Sequence, residues 1–183
     1  MNYRSTRSAD GKYTSAQVIK QGLAADGGLF VPTSLPTLDE TAVAALSKMN
    51  YADRAAYVLG LFLTDYSEDE LSEMAKKAYS RRNFGCNPAP LSRLENDYVL
   101  ELWHGPTSAF KDMALQILPY LLTTSAKKTI DGKKISILVA TSGDTGKAAL
   151  EGFKDVDGTS ISVFYPEDGV SKMQKRQMTT QEG

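Results

Sequence analysis

The chain has 183 residues, of which 42% are hydrophobic and 23% charged, a balance typical of a globular protein with a buried core. Its 21 basic and 22 acidic residues leave a net charge of −1, which argues against nucleic acid or an anionic membrane as partner. Cys86 is the only cysteine, so an intramolecular disulfide and a multi-cysteine metal site are excluded. The sequence starts without an apolar signal-peptide core and has no apolar run of membrane-spanning length, so we expect a soluble, cytoplasmic protein.

The first eighty or so residues are predicted to be mainly helical. A short helix is expected from Ser15 to Leu23, ended by the turn signal Asp26-Gly27-Gly28. Apolar residues then recur with helical spacing from about Leu38 to Arg82. Within this stretch, Ser67 and Glu70 form a capping-box pattern that predicts the start of a helix. The region shows no chemistry of its own.

The periodicity changes after a boundary rich in proline and glycine. Short strands are predicted at Leu91–Leu94 and Tyr98–Trp103, joined by a turn at Asn96-Asp97. A helix should follow from Phe110 to Leu122. Pro119 lies within it and should bend or end it, because proline lacks the N–H group that an inner helical turn needs.

The C-terminal part of the chain alternates between strand and helix patterns. Ile135–Ala140 and Ile161–Tyr165 are largely apolar runs, which predicts strands of a buried parallel sheet. A helix from about Gly146 to Phe153 is expected between them, an order typical of an α/β fold. A last helix should run from Ser171 to about Met178. Two parallel strands cannot bury both faces of a sheet, so we expect a partial chain.

The segment Glu101–Asp112 contains a first candidate for chemistry, Lys111. A predicted strand leads into the Gly105-Pro106 turn, and Lys111 follows in the first turn of the next helix. The positive end of a helix dipole disfavours a cation there. A lysine needed as a neutral amine would gain from this position, since burial and a positive field both lower the pKa of an amine. The pattern alone leaves open that Lys111 is an ordinary surface lysine.

The segment Leu138–Lys147 contains a second candidate, a turn rich in Ser, Gly and Thr between a strand and a helix. Backbone N–H groups converge in such a turn and form a site for phosphate or carboxylate. The pattern leaves open an ordinary connection in which Ser142 or Asp144 only caps the helix. A nucleotide-binding P-loop is excluded, because it needs glycine where Thr141 stands and Ser or Thr where Ala148 stands.

Other polar residues carry no predicted chemistry. His104, the only histidine, has no neighbours that suggest a nucleophile triad, so we expect it to be packed or hydrogen-bonded in its turn. Lys172, Lys175 and Arg176 are expected on a solvated helix face. No spacing of acidic or metal-binding residues indicates a metal site.

Taken together, these segments resemble one protein family. His104–Asp112 (HGPTSAFKD), followed by Ala140–Gly146 (ATSGDTG), resembles the bacterial and fungal threonine synthases. The opening Gly22–Pro32 (GLAADGGLFVP), Tyr165-Pro166 and Gln177–Thr180 are also similar to that family. The similarity covers essentially the whole chain, in order.

The resemblance implies an α/β fold, the β-family (fold type II) of pyridoxal-phosphate enzymes. We expect a helical N-terminal region at residues 1–84. The start of the cofactor domain, with the cofactor-binding lysine, should lie at residues 85–128. Residues 129–183 should form the start of a small α/β domain, which we expect to be truncated. In this order, a helical region precedes parallel strand–helix units.

The resemblance also implies an activity, the conversion of O-phospho-L-homoserine and water to L-threonine and phosphate by a carbon–oxygen lyase with pyridoxal 5'-phosphate as cofactor. Lys111 matches the family's Schiff-base lysine, which holds the cofactor and then moves protons at Cα and Cβ of the substrate. Asp144 would face the cofactor, and Ser142, Gly143 and Thr145 the substrate carboxylate. Many relatives in the wider fold have Asn in place of Asp144. That Asn donates a hydrogen bond to the cofactor's phenolic oxygen, whereas an ionised Asp has no hydrogen to donate. Threonine synthases have Asp here.

In this family the loop for the cofactor phosphate and the group facing the pyridine nitrogen lie beyond residue 183. We therefore expect the chain alone to be inactive and to hold the cofactor weakly. Two alternatives stay open: a sister pyridoxal-phosphate-dependent phospho-lyase of the same fold, and a non-catalytic fragment that acts as a structural or interaction module. A small-molecule substrate is expected as partner, with no metal, nucleic acid or membrane.

Overall fold

The structure is a computed structural model that describes residues 1–8, 11–129 and 134–183. Its elements in chain order are β1 (Tyr3–Ser5), α1 (Ser15–Gln21), β2 (Phe30–Pro32), α2 (Glu40–Lys48), α3 (Tyr51–Phe62), α4 (Glu68–Ala78), α5 (Arg81–Phe84), β3 (Leu91–Leu94), β4 (Asp97–Leu100), α6 (Asp112–Leu115), α7 (Leu118–Thr129), β5 (Ile135–Ala140), α8 (Asp144–Phe153), β6 (Thr159–Phe164) and α9 (Lys172–Thr179).

The chain divides into two compact units, Met1–Lys77 with Tyr120–Gly132, and Ala78–Pro119 with Lys133–Gly183. Each unit thus combines two stretches that are far apart in sequence. The functional domain boundaries expected after residues 84 and 128 stay a prediction.

The first unit begins with an antiparallel strand pair that we did not predict. β1 and β2 pair from Tyr3 opposite Pro32 to Ser5 opposite Phe30. Each strand has only three residues, too few to show an alternating pattern. The expectation of a mainly helical start is therefore wrong for these residues, because the partner that makes each segment a strand lies far along the chain.

The helices of the first unit begin and end mostly where local chemistry predicts. At the start of α4, the backbone N–H of Ser67 donates to Oε2 of Glu70 at 2.8 Å, and that of Glu70 donates to Oγ of Ser67 at 3.2 Å, which confirms the capping box. α1 ends earlier than predicted. Gly22 closes it with a φ of 75°, a conformation that favours glycine, so the turn at Asp26–Gly28 plays no part in ending it.

A buried tyrosine joins the α4 region to α7. The hydroxyl of Tyr66 donates to the carbonyl of Leu121 at 3.0 Å and lies 2.5 Å from Oγ of Ser125, which is fully buried. An ion pair of 2.9 Å between Lys128 and Glu70 lies beside it. Burial raises the pKa of Tyr66 to about 12. The phenol therefore stays neutral and hydrogen-bonded across the ordinary pH range.

We expect Tyr66→Phe to lower the free energy of unfolding by about 1–3 kcal/mol near neutral pH, because buried partners lose their hydrogen bond. The phenol ionises near pH 10.0 when free but at about 12 in the folded protein. Its contribution is thus complete below pH 10 and is lost as the pH rises towards 12. The difference between the two proteins, measured by denaturant unfolding followed by circular dichroism, should shrink over that range. A difference in unfolding free energy that does not change with pH would contradict the raised pKa of a buried Tyr66 phenol.

The second unit contains an antiparallel hairpin. β3 and β4 pair from Leu91 opposite Leu100 to Leu94 opposite Asp97. The turn is therefore Glu95-Asn96, with Glu95 at φ 52°, and the predicted turn at Asn96-Asp97 is wrong by one residue. The second strand also ends at Leu100 and does not reach the predicted Trp103.

The single helix predicted from Phe110 to Leu122 is two helices, α6 and α7. Pro119 explains the difference. It occupies the first turn of α7, where its missing N–H has no intrahelical partner to lose, so it helps to begin this helix and does not bend it. α7 then continues to Thr129, well past the predicted end.

A parallel strand–helix–strand unit completes the second unit. β5 and β6 pair in parallel from Ile135 opposite Thr159 to Ala140 opposite Phe164, with α8 between them in sequence, which confirms the predicted order. Side chains alternate between half-buried and exposed along both strands. Leu138 is 70% and Phe164 62% exposed on one face, which agrees with the expectation that two parallel strands cannot bury both faces of a sheet.

Candidate functional site

The turn before Lys111 is folded around the carboxylate of Asp112, which is fully buried. Asp112 accepts two hydrogen bonds from Thr107, one from its backbone N–H at 2.8 Å and one from its hydroxyl at 2.7 Å. A Cβ at Gly105 would lie 2.4 Å from Cβ of Asp112, so glycine lets the turn close on this side chain. Ser108 has a φ of 60°, a strained conformation held by the same turn. The segment therefore fixes the backbone of Lys111.

Lys111 is the N-cap of α6 and is half-buried. Its Nζ lies 4.5 Å from the ring centroid of Phe110. In the described parts of the chain, its amine has no acidic partner. Lys111 was predicted in the first turn of a longer helix, but it lies one residue before α6, which has only four residues, and the helix-dipole effect on its amine stays a prediction. The backbone of Lys111 is thus fixed by the turn, and its amine is not held by an ion pair with any described residue.

The turn between β5 and α8 is organised by Thr141, which sequence reasoning missed as a structural residue. Its Oγ1 accepts from the backbone N–H of Gly143 at 3.1 Å and of Gly146 at 3.2 Å. Gly143 is the N-cap of α8 and offers no side chain, so neither Ser142 nor Asp144 caps the helix. The alternative of an ordinary side-chain cap at these two residues is therefore wrong.

The same turn presents unpaired backbone donors. In the part of the chain that the structure describes, the backbone N–H groups of Ser142, Asp144 and Thr145 have no hydrogen-bond acceptor. They lie at the positive end of α8, a helix of ten residues. Converging donors at a helix start favour an anion such as a carboxylate. A Cβ at Gly146 would lie 2.4 Å from Cγ2 of Thr141, so glycine is needed for this close approach of helix and strand.

The two candidate segments lie in the same unit, on helices that contact each other. α6, which follows Lys111, packs on α8, which begins at Asp144. A Cβ at Gly152 in α8 would lie 2.3 Å from the backbone oxygen of Leu115 in α6. Among the described residues, no hydrogen bond or ion pair joins Lys111 directly to the turn at Ser142–Thr145.

Lys147, the other lysine near the turn, has its ammonium engaged. It lies 3.3 Å from Oε2 of Glu151 and donates to the side-chain oxygen of Gln181. A lysine whose ammonium donates to an acid and an amide is a poor nucleophile, because its donors are occupied. Of the two lysines, Lys111 is therefore the better candidate for covalent chemistry.

His104 belongs to a hydrogen-bonded group, as predicted. Its Nε2 lies 2.6 Å from Oε2 of Glu101, whose other oxygen accepts from the hydroxyl of Ser92. The pKa of Glu101 is lowered, chiefly by the Ser92 hydrogen bond and then by His104. The ring of Trp103 stacks on His104 with centroids 5.7 Å apart. Lys172, Lys175 and Arg176 are exposed on α9, which confirms the predicted solvated face.

The described residues contain no group of three or more His, Cys, Asp or Glu side chains that could hold a metal ion. None of their helices has the length and apolar character needed to cross a membrane.

Comparison with known proteins identifies the family. A family model described as threonine synthase N terminus matches residues 2–79. Threonine synthase of Pseudomonas aeruginosa is 40% identical over 182 residues, covering 98% of this chain and 38% of the relative. Threonine synthase of Saccharomyces cerevisiae is 38% identical over 192 residues, covering 97% of this chain and 37% of the relative. The chain belongs to the threonine synthase family.

A solved threonine synthase supports the same assignment for the fold. The crystal structure of pyridoxal-phosphate-bound threonine synthase from Brucella melitensis superposes with a TM-score of 0.88 at 36% identity, covering 97% of this chain and 38% of that one. The chain thus has the α/β, fold type II architecture of the family and spans well under half the length of these relatives. Both candidate segments lie beyond the residues that the threonine synthase N-terminus model matches.

Proposed function

We propose that the chain is part of a threonine synthase, a pyridoxal-phosphate-dependent carbon–oxygen lyase that converts O-phospho-L-homoserine and water to L-threonine and phosphate. The observation that carries this proposal is the half-buried Lys111 amine without an acidic partner among the described residues, in the same unit as unpaired donors of an anion-binding turn. Membership of the family supports it. A small-molecule substrate and a cytoplasmic location are part of the proposal.

The residues present fit pyridoxal phosphate as cofactor. An imine to an aldehyde requires a primary amine that is accessible and not tied up in an ion pair, and Lys111 meets both requirements within the described chain. We assign Lys111 as the residue that holds the cofactor and Asp144 as a residue that faces it. When bound, the cofactor supplies an electron sink for the negative charge that develops on the substrate carbons.

The chain's own residues would bind the substrate and move protons. The N–H groups of Ser142, Gly143 and Thr145 are assigned to the substrate carboxylate, with the positive end of α8 adding to the attraction. The N–H of Gly143 already donates to Oγ1 of Thr141, so the substrate carboxylate would share this donor with Thr141. Lys111 is assigned to take a proton from Cα and return one at Cβ, because its backbone is fixed by the turn around Asp112 and its amine has no acidic partner among the described residues.

A sister phospho-lyase of the same fold is the second candidate, since an amine and a carboxylate-binding turn do not distinguish one amino-acid phosphate from another. A panel of phosphorylated amino acids separates the two by their kcat/KM values. A non-catalytic role is the third, and it would be supported if the full-length protein released no phosphate from any of them.

The assignment of Lys111 can be tested directly on the full-length protein. Borohydride reduction of the protein with pyridoxal phosphate, followed by peptide mapping, should place the label on Lys111. Release of phosphate from O-phospho-L-homoserine with formation of threonine tests the activity in parallel. A label on Lys147, or no threonine from an enzyme that binds the cofactor, would overturn the site or the reaction respectively.

A further inference from the structure

Gln174, in the first turn of α9, contacts the turn that opens α8. Its Nε2 donates to Oδ1 of Asp144 at 2.8 Å. A Cβ at Gly143 would lie 2.7 Å from the same nitrogen, so the amide lies directly against the α-carbon of Gly143. In the described parts of the chain, no other side chain from outside Thr141–Thr145 hydrogen-bonds to these residues. Gln174 therefore connects α9 to the candidate site.

The amide of Gln174 is held at both ends. Its Oε1 accepts from the backbone N–H of Ser171 at 3.3 Å and from the hydroxyl of Ser171 at 3.0 Å, as part of a capping box. A carboxylate can only accept, so Nε2 must face Asp144 and Oε1 must face Ser171. One turn further along α9, Met178 is buried and lies against Gly146. The amide is thus presented to Asp144 from a helix packed along α8.

We propose that Gln174 is a positioning residue that holds the Asp144 carboxylate and the N–H groups of Ser142–Thr145 in the arrangement that receives the substrate. This inference rests on the proposed function, which assigns the turn to substrate binding. Asp144 is exposed, so several side-chain rotamers are open to it, and a charge-assisted hydrogen bond restricts them to one. In this assignment Gln174 touches neither substrate nor cofactor and acts through Asp144.

The substitution Gln174→Glu isolates this contact. It replaces the donor Nε2 by an oxygen but keeps an acceptor for Ser171, so the capping box survives while two carboxylates face each other. In the full-length enzyme, KM for O-phospho-L-homoserine should rise roughly tenfold or more, as expected for one charge-assisted hydrogen bond. The kcat should change by less than about threefold, because the bond serves binding geometry in ground and transition states alike.

Hydrogen exchange gives a second readout that does not depend on activity. The amides of Gly143 and Gly146, which donate to Thr141, should exchange about tenfold faster in the Gln174→Glu variant as the turn loosens. The double variant Asp144→Asn/Gln174→Glu reverses the donor and the acceptor, so it should return this exchange to the wild-type rate.

The capping box of α1 offers a matched control. There Oε1 of Gln17 accepts from the backbone N–H of Thr14 at 2.8 Å, and the backbone N–H of Gln17 donates to Oγ1 of Thr14 at 3.3 Å. Gln17→Glu makes the same chemical change at this capping box. Among the described residues, the side-chain amide of Gln17 donates to no carboxylate, in contrast to that of Gln174. Gln17→Glu should leave both KM and the exchange of Gly143 and Gly146 at wild-type values.

The outcomes separate the inference from the proposed function. If the wild-type enzyme does not convert O-phospho-L-homoserine, the proposed function fails, and the exchange rates still decide whether Gln174 holds the turn. If the wild type is active and Gln174→Glu matches Gln17→Glu in KM and exchange, the inference is overturned. Lower thermal stability with unchanged KM also overturns it, because the contact would then only pack α9.

Discussion

Replacing Lys111 with Ala should reduce the turnover of the full-length enzyme by about a thousandfold or more. The amine is assigned two roles, the attachment of the cofactor and the transfer of protons at the substrate carbons, and the substitution removes both. Its backbone is fixed by the turn around Asp112, whose hydrogen bonds do not involve the side chain that the substitution removes. Steady-state release of phosphate from O-phospho-L-homoserine measures the loss.

Lys147→Ala is the matched control. Lys147 lies in α8 just after the turn, and its ammonium is already engaged by Glu151 and Gln181. Its loss should leave turnover within about fivefold of the wild type, since it contributes only charge near an anion. Comparable losses in the two variants would mean that the turn binds its anion through this lysine and that the backbone N–H groups are secondary.

Asp112→Asn should combine a loss of stability with a loss of activity. The buried carboxylate accepts from the N–H and the hydroxyl of Thr107, and an amide nitrogen can accept neither. We expect the free energy of unfolding to fall by roughly 1.5–3 kcal/mol, as for the loss of a hydrogen bond to a charged group. Turnover should fall about ten- to a hundredfold, because a small displacement of Lys111 removes it from its reacting geometry.

Thr107→Ser keeps both hydrogen bonds to Asp112 and serves as the comparison. It removes only a methyl group, so we expect turnover and stability near those of the wild type. Denaturant unfolding and kcat, measured on both variants, separate the two cases. Wild-type turnover in Asp112→Asn would show that the turn places Lys111 without this carboxylate, and the account of Asp112 would then be wrong.

Local chemistry predicted several elements correctly. The capping box at Ser67 and Glu70, the strand Ile135–Ala140 and the order of strand, helix and strand were all visible in the sequence. Each depends on interactions between residues a few positions apart, or on an apolar run long enough to read. The sequence predicts that Pro119 bends or ends a helix, but the effect of a proline depends on whether it lies in the first turn or in the interior, and Pro119 lies in the first turn of α7.

The residues that hold the candidate segments in place through hydrogen bonds were not predictable in the same way. Thr141 organises its turn through a hydroxyl, and a threonine after a strand has no distinctive local pattern. In the sequence Asp112 is only the last residue of the motif HGPTSAFKD, and its burial follows from the way the turn at Gly105 closes on it. Gln174 lies thirty positions from Asp144, so only the packing of α9 along α8 brings them together.

The sequence by itself determined the family, the two candidate segments and the residues that should carry chemistry, since the ordered motifs around Lys111 and Ser142–Thr145 are strings of neighbouring residues. Only the tertiary structure shows which residues hydrogen-bond to those segments, such as Gln174 to Asp144, and that β1 and β2 form a sheet. The physical reason is that motifs and caps express short-range interactions, whereas strand pairing and side-chain braces depend on residues that only folding brings within hydrogen-bonding distance.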